Sequence, residues 1–214
     1  MSEPSLYERV MGDSYQRLAS PVRAFHRLSG RHVLTGEVRT HAPQTWLARL
    51  LAWGLGTPTT DGGGAIRFEL DATPRAETWT RHFPAKTMTS TLRASGNSVV
   101  EHLGVSRLTF HLHEQDTRLE MRLVRLRFLG LPCPRWLMPD IVAVESGEGS
   151  RFQFEVQARV PIAGLVARYA GHLMLPAELT AETPAAPHHS HPPAQAYAPH
   201  SSATTPSRSS RPAS

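Results

Sequence analysis

The sequence predicts an α+β protein, built as a curved antiparallel β-sheet or half-open β-barrel with two to four short helices, mostly near the N-terminus. Before residue 56, most apolar residues recur at helical spacing. After Gly64 they alternate with polar residues, and this period of two persists to about residue 173. Short turn-forming segments separate the alternating runs, which is typical of antiparallel strands with one dry face.

The chain has 214 residues, and its composition changes at about Pro176. Beyond that point the sequence is mainly Pro, Ala, Ser, Thr and His, with almost no large apolar residue. Such a segment cannot bury enough surface to offset the entropy of ordering it. We therefore predict a single globular domain over residues 1–175, long enough for one buried core, and a disordered tail over residues 176–214.

The charge and the cysteine content exclude some classes of protein. The net charge is +5, carried by 22 arginines and one lysine that are scattered rather than clustered, which argues against nucleic-acid binding. A single cysteine, Cys133, fits a reducing compartment. The N-terminus lacks the features of a signal peptide, and no apolar run approaches the ~20 residues of a membrane span. We expect a cytoplasmic protein without a transmembrane segment.

Two short helices are predicted at the N-terminus. Ser5 and Glu8 have the spacing of a capping box, and Gly12 marks the end of this first helix. The second helix begins at Ser20 with Pro21 at its first turn, where a proline is favoured, and its predicted stop is Gly30.

A third helix is predicted over residues 44–55. One side of this helix carries four large apolar residues, namely Trp46, Leu47, Leu50 and Leu51. We predict that it covers the dry face of the sheet like a lid. The alternative is that Trp46 and Trp53 contact a membrane surface; the lid is favoured because Arg49 is the only basic residue of this helix.

The strands are predicted from their alternation and from the turns between them. In residues 119–128 the parity of the apolar positions switches, so we predict a β-bulge near Leu123 and Val124 that keeps both halves on the core side. The Pro-rich segment from Gly130 to Pro139 is predicted to be irregular. The predicted strands cover residues 31–40, 66–71, 77–90, 99–101, 107–113, 119–128, 151–160 and 166–173.

The stretch over residues 77–90 is predicted as a central strand with Trp79, Arg81 and Phe83 on its inner face. A buried arginine needs a partner, and the sequence offers Glu101 or Glu145 for this structural role. The alternative is that the guanidinium binds a carboxylate or phosphate of a ligand inside a pocket. The structural interpretation is the favoured one.

No cofactor or metal site is predicted. His111 and His113 share one face of a predicted strand, but that face is the solvent side, opposite the apolar residues. The sequence has no catalytic triad and no phosphate-binding loop. Glu101 and Glu145 are the candidate catalytic residues, because a buried carboxylate can act as a general acid or base.

The chain resembles a bacterial family, the domain of unknown function 4166. The resemblance runs from about residue 6 to residue 173, and no single motif is specific by itself. Its motifs include Leu6-Tyr7, Val22 with His26, Gly36, Trp79-Thr-Arg-His-Phe83 with Ser90, Glu101-x-x-Gly104, Leu129-Gly-Leu-Pro132, Trp136-Leu-x-Pro139, Glu145, Phe152-x-Phe154, Pro161-x-x-Gly164 and Tyr169-x-Gly171.

The resemblance implies no known reaction. It places His26, Arg81, Glu101 and Glu145 on the polar motif positions of the family. In that family the domain is often fused to a saccharopine-dehydrogenase-like or short-chain-reductase-like NAD(P)-binding domain. Such a domain does not lie within this sequence, so the resemblance suggests a separately encoded NAD(P)-dependent oxidoreductase as a partner.

Three functional hypotheses follow. The leading one is a non-catalytic or accessory module that holds a small hydrophobic or amphipathic ligand with Trp79, Arg81, His26 and Tyr169. The second is an isomerase, cyclase or hydrolase that uses Glu101 or Glu145 as its proton carrier. The third is a protein-docking module that uses residues 130–139, where Trp136 and Leu137 would be exposed.

Overall fold

The computed structural model describes residues 3–176. Most of these residues belong to eleven β-strands, and three short α-helices accompany them. The helices are α1 (Leu6–Met11), α2 (Ser20–His26) and α3 (Trp46–Leu55), with 3-10 helices at Gly12–Arg17 and Arg135–Leu137. The strands are β1 (Gly30–His41), β2 (Gly62–Ala72), β3 (Glu77–His82), β4 (Thr87–Ser95), β5 (Ser98–Leu103), β6 (Ser106–Gln115), β7 (Arg118–Phe128), β8 (Leu131–Pro132), β9 (Asp140–Glu148), β10 (Arg151–Val160) and β11 (Gly164–Met174).

Ten of the strands form a closed antiparallel barrel. Neighbouring strands follow the order β6-β5-β4-β3-β2-β1-β11-β10-β9-β7, and β6 also pairs with β7, so the ring has no free edge. The two-residue strand β8 pairs only with the end of β7. The α+β, half-open prediction is therefore wrong in part: the protein is mostly β, and the sheet is closed. Alternation predicted the strands, but it carries no information on whether the first strand meets the last.

The register defines the two ends of the barrel. At one end Gly30 pairs with Ala72, and because α1 and α2 precede β1, we call it the α1–α2 end. At the other end Thr40 pairs with Gly62, and α3 connects these two strands. We call it the α3 end.

Helices α1 and α2 close the barrel at the α1–α2 end. The predicted capping box is confirmed, since Ser5 Oγ accepts a hydrogen bond from the Glu8 amide while the Glu8 carboxylate accepts one from the Ser5 amide. Pro21 lies in the first turn of α2, as predicted, but the helix ends at His26 and Gly30 begins β1 instead. These helices place some of the largest fully buried side chains in the core, including Leu6, Tyr7, Val22 and Phe25.

Helix α3 does not cover the core, so the predicted lid is wrong. Its buried face carries Ala48 and Ala52, which pack against Ala163 and Val166 in a small separate cluster. Trp46 and Leu50, which the sequence placed on the buried stripe, are 76% and 55% exposed. Small alanines allow this helix to lie close to β11. Leu47 and Leu51 are half-buried against the same cluster, whereas Trp46, Leu50 and Trp53 remain in solvent. Within residues 3–176, no helix has the length and apolar character needed to cross a bilayer.

The predicted central strand is a hairpin. The chain turns after His82, where the Phe83 amide donates to the Lys86 carbonyl, and β4 then pairs antiparallel with β3. Trp79 and Arg81 point into the barrel, as predicted, and Phe83 is buried in the turn.

The predicted β-bulge in β7 is confirmed. Thr109 pairs with Arg125 and Phe110 pairs with Leu123, so Val124 is the extra residue. Leu123 and Leu126, on either side of it, both pack against the core, but Val124 and Phe128, which the prediction also placed on the core side, are exposed.

The sequence analysis missed β9, which follows the Pro-rich segment. This strand is an apolar run without clear alternation, whose signal is weaker than that of an alternating strand. The predicted tail lies, apart from Pro176, outside the described residues.

Candidate ligand-binding site

The barrel interior contains a cavity of about 120 Å³. It extends from Phe25 of α2 to Leu55 and Thr57 beside α3. An engineered cavity of about 150 Å³ binds benzene, so the space here suits roughly a single ring. Most of the lining is aliphatic or aromatic, and its polar side chains are Thr57, Arg81, Glu101, Glu145 and Tyr169.

Arg81 forms one polar wall of this cavity and is only 8% exposed. Its Nη1 donates a hydrogen bond to Ser90 Oγ at 3.1 Å, and its Nη2 lies 3.7 Å from Glu101 Oε1. The guanidinium also sits 4.9 Å from the ring centre of Trp79 and 5.9 Å from that of Phe68. Cation–π attraction of this kind holds the charge on the barrel wall.

The register of three neighbouring strands assembles this wall. Ser90 of β4 lies opposite Trp79, one inward position along from Arg81, so its hydroxyl reaches the guanidinium diagonally. Leu92 of β4 lies opposite Glu101 of β5, which brings that carboxylate onto the same inner face. Alternation turns all of these side chains inward.

A second polar group lies nearer the α1–α2 end. His26 Nε2 and Glu145 Oε2 are 2.6 Å apart, and both side chains are almost fully buried. The Tyr7 ring stacks on the His26 ring with centroids 3.6 Å apart. His26 Nδ1 is buried and makes no hydrogen bond with any described residue. Because Glu145 lines the cavity and His26 stands behind it, the pair could pass a proton to or from a bound molecule.

The sequence analysis did not identify Glu77 and Tyr7, which belong to the same buried group. Glu77 is 4% exposed, and its Oε2 accepts a hydrogen bond from Trp79 Nε1 at 2.9 Å. Burial raises the pKa of Glu77, although the charge of His26 and the Trp79 hydrogen bond oppose this. Burial, reinforced by Glu145 and other carboxylates, raises the pKa of Tyr7 well above its usual value. Glu77 has the same parity as Trp79 and Arg81, and this alternation could have revealed it.

Tyr169, which belongs to the last strand β11, also lines the cavity. Its ring contacts Phe83 and Phe154 edge to face, with centroid distances of 5.2 and 6.2 Å. Burial raises the pKa of the Tyr169 hydroxyl, and the charges of Arg81 and Glu101 act on it in opposite directions. Within residues 3–176 this hydroxyl has no hydrogen-bond partner, so it remains a protonated donor available to a ligand.

The six site residues proposed from the sequence therefore fall into two groups. Five line the cavity, and His26 contacts it only through Glu145. Arg81 pairs with Glu101 and not with Glu145, which is paired with His26. The five candidates that line the cavity are, in sequence order, Trp79, Arg81, Glu101, Glu145 and Tyr169.

Residues outside the barrel interior contribute little to this site. His111 and His113 are exposed on the outer face, as the alternation predicted. Among the described residues, no cluster of three or more His, Cys, Asp or Glu side chains could hold a metal ion. Trp136 is 70% exposed, whereas Leu137 is half-buried.

Comparisons with known proteins give a family and no activity. The profile of a family described as "Domain of unknown function (DUF4166)" matches residues 18–173. No curated protein matches the sequence. Among solved structures, the crystal structure of Rv2717c from M. tuberculosis aligns with 74% of this chain and 99% of that chain, at 13% identity and a TM-score of 0.41. This similarity is too distant to carry an argument about the present chain.

Proposed function

The chain belongs to the domain of unknown function 4166 family, and we propose that its barrel binds a small, mostly apolar molecule that carries one hydrogen-bond acceptor. The observation that supports this proposal is the cavity of about 120 Å³ with Arg81 in its wall. A solid core at this place would have left no room for a ligand. The volume favours a ligand of about one ring in size.

The polar wall indicates which group the ligand carries. Ser90 Oγ is the only described atom that accepts a hydrogen bond from the Arg81 guanidinium, since Glu101 Oε1 lies beyond hydrogen-bond distance at 3.7 Å. The Tyr169 hydroxyl is a second donor on the wall. Two donors facing an apolar space favour an acceptor such as a carbonyl or carboxylate oxygen. Because Glu101 already balances the charge of Arg81, the acceptor can be neutral.

The proposal predicts a preference among probes of one size. We expect the wild-type protein to bind benzaldehyde about tenfold more tightly than benzene, because a hydrogen bond to a charged donor is worth about 1.5–3 kcal/mol. Ligand-observed NMR titration measures both affinities. Native mass spectrometry of the freshly purified protein complements it by detecting any small molecule that co-purifies.

A double variant removes the donor without leaving a buried charge unpaired. In Arg81→Met/Glu101→Gln, we expect the preference for benzaldehyde over benzene to shrink to the smaller one that the neutral Tyr169 hydroxyl can support. The matched control is Arg67→Met, which changes an exposed arginine of β2 and should keep the wild-type preference. Equal affinities in the wild-type protein, or a preference of undiminished size in the double variant, would show that Arg81 does not bind the acceptor of the ligand.

A second candidate function is acid–base catalysis in the same cavity. The observation in its favour is the 2.6 Å contact of Glu145, which lines the cavity, with His26. Against it, both candidate carboxylates have a cationic or imidazole partner, as expected for residues that stabilise the barrel. Binding is therefore the better-supported function. The separately encoded oxidoreductase stays a prediction from the family resemblance, as does the cytoplasmic location predicted from the sequence.

A further inference from the structure

The large exposed apolar side chains are concentrated at one end of the barrel. Twelve large apolar residues among the described residues are exposed. The strand registers place nine of them at the α3 end, either in the connections between strands or in the strand residues next to those connections. We call this surface the α3 rim; it comprises residues 40–63, 82–87, 103–107, 127–141 and 159–165.

The apolar residues of the α3 rim come from four separate connections. Helix α3 contributes two tryptophans and a leucine, and the segment after β7 contributes a third tryptophan. Isolated exposed apolar residues are common on soluble proteins, but such a concentration at one end marks an interaction surface. The nine residues are Trp46, Leu50, Trp53, Val105, Phe128, Leu129, Leu131, Trp136 and Ile162.

The α3 rim is also basic. It contains six lysines and arginines but only two acidic residues, Asp61 and Asp140. Within residues 3–176, none of the six cations forms an ion pair with a carboxylate. At the α1–α2 end, by contrast, Arg17 and Arg27 each pair with a glutamate. The six cations are Arg49, Lys86, Arg107, Arg127, Arg135 and Arg159.

We propose that the α3 rim docks on the surface of an anionic lipid bilayer. Tryptophan and leucine side chains next to basic groups that have no carboxylate partner are the combination that lies in the headgroup region of membranes, where the rings bury apolar surface and the cations meet anionic lipids. The sequence analysis discounted contact of Trp46 and Trp53 with a membrane because α3 has one basic residue. The fold supplies the other five cations from neighbouring connections. This proposal does not depend on the ligand in the cavity.

Vesicle binding tests the proposal directly. We expect the full chain to co-sediment with vesicles of phosphatidylcholine and phosphatidylglycerol, to bind pure phosphatidylcholine vesicles about tenfold less well, and to be released by high salt. Tryptophan fluorescence should shift to shorter wavelength on binding, because three of the four tryptophans lie in the α3 rim. Failure to bind the anionic vesicles would overturn the proposal.

Paired variants distinguish the contribution of the α3 rim to vesicle binding from that of the rest of the surface. Trp53→Ser/Trp136→Ser should weaken binding to the anionic vesicles about tenfold, whereas Val33→Ser/Met174→Ser, which changes exposed apolar residues outside the rim, should not. Lys86→Glu/Arg135→Glu should weaken binding by a similar factor, and Arg75→Glu at the other end should have little effect.

All of these positions are at least partly exposed, so the variants should fold, and circular dichroism checks this. Sedimentation velocity without lipid measures self-association, and so tests whether a second copy of the chain covers the rim instead of lipid. If the tryptophan variant changes self-association and leaves vesicle binding intact, the rim is an interface between copies of the chain, and the lipid proposal is wrong.

Discussion

Glu77 is a carboxylate inside the barrel whose hydrogen-bond partner is neutral. Glu101 lies beside the Arg81 guanidinium and Glu145 bonds to His26, but from the described residues Glu77 accepts only the indole N–H of Trp79. A neutral donor compensates poorly for the loss of hydration, and burial accordingly raises the pKa of Glu77.

The raised pKa of Glu77 sets the sign of a stability prediction. Below about pH 4 the carboxyl is protonated in both the folded and the unfolded chain, so it adds no pH dependence there. As the pH rises, the unfolded chain releases this proton first, and stability is lost as the pH passes through the raised folded-state pKa. We therefore expect Glu77→Gln to be more stable than wild type at pH 7 and about equally stable below pH 4.

Urea denaturation across this pH range measures the effect. Glutamine keeps an oxygen that can accept from Trp79 Nε1, so the hydrogen bond survives the substitution. Glu155→Gln is the matched control, because this glutamate is half-exposed and pairs with Arg168 on the outer face. A Glu77→Gln variant that is less stable than wild type at pH 7 would contradict the assignment of Glu77 as a buried, poorly compensated acid.

Part of the polar site was predictable residue by residue. Alternation along β3 was enough to place Trp79 and Arg81 on the inner face, and the need of a buried arginine for a partner limited the choice to two glutamates. The choice itself was not predictable, because it depends on how β3, β4 and β5 align. The role of His26 was also hidden, since its partner Glu145 is distant in the sequence and lies on the strand that was missed.

At the scale of elements, the seam between β1 and β11 depends on two glycines. A Cβ at Gly36 would collide with the carbonyl oxygen of His172, and a Cβ at Gly171 would collide with that of Glu37. Both glycines lie in the stretch where β1 and β11 pair to close the barrel. Glycine within a strand often marks such a close approach of two backbones. The family motifs included both positions, and this contact gives the physical reason.

We expect Gly36→Ala to destabilise the protein by about 2–3 kcal/mol, because the backbones of β1 and β11 must move apart to admit the methyl group. Gly63→Ala is the matched control: its Cβ would lie 3.4 Å from the Val38 carbonyl oxygen, which is ordinary contact. Chemical denaturation compares the two variants with wild type. Equal stability of Gly36→Ala and Gly63→Ala would show that the seam tolerates a side chain.

The local signals in the sequence differed in what they could predict about the elements. The capping box and the β-bulge were confirmed because each depends on residues that are near one another along the chain or on the parity of one strand. The burial of α3 was not predicted correctly. Helical spacing placed Trp46, Leu47, Leu50 and Leu51 on one stripe. The position of β11 instead buries Ala48 and Ala52, with Leu47 and Leu51 half-buried beside them and with Trp46 and Leu50 in solvent.

At the scale of the whole molecule, the two ends of the barrel differ in how they are closed. At the α1–α2 end, the helices insert fully buried residues such as Tyr7 and Phe25 into the main core. At the α3 end, helix α3 rests on a cluster whose fully buried members are Ala48, Ala52, Ala163 and Val166. The cavity lies between these ends and reaches Leu55 and Thr57, next to α3. Closure was unpredictable because it joins β1 to β11 across almost the whole described chain.

This asymmetry predicts a gradient of local stability along the barrel axis. Burying a large apolar side chain stabilises an element by about 1.5–3 kcal/mol, whereas an alanine contributes much less, so α3 should open locally at a lower free energy than α2. Hydrogen exchange followed by mass spectrometry should show faster exchange of the amides of α3 than of those of α2, with the paired segments of β1 and β11 slowest. Benzaldehyde should slow exchange at the C-terminal part of α3, because a ligand held in the cavity contacts the residues there. If α3 is as protected as α2 in the free protein, the predicted gradient of local stability along the barrel axis is wrong.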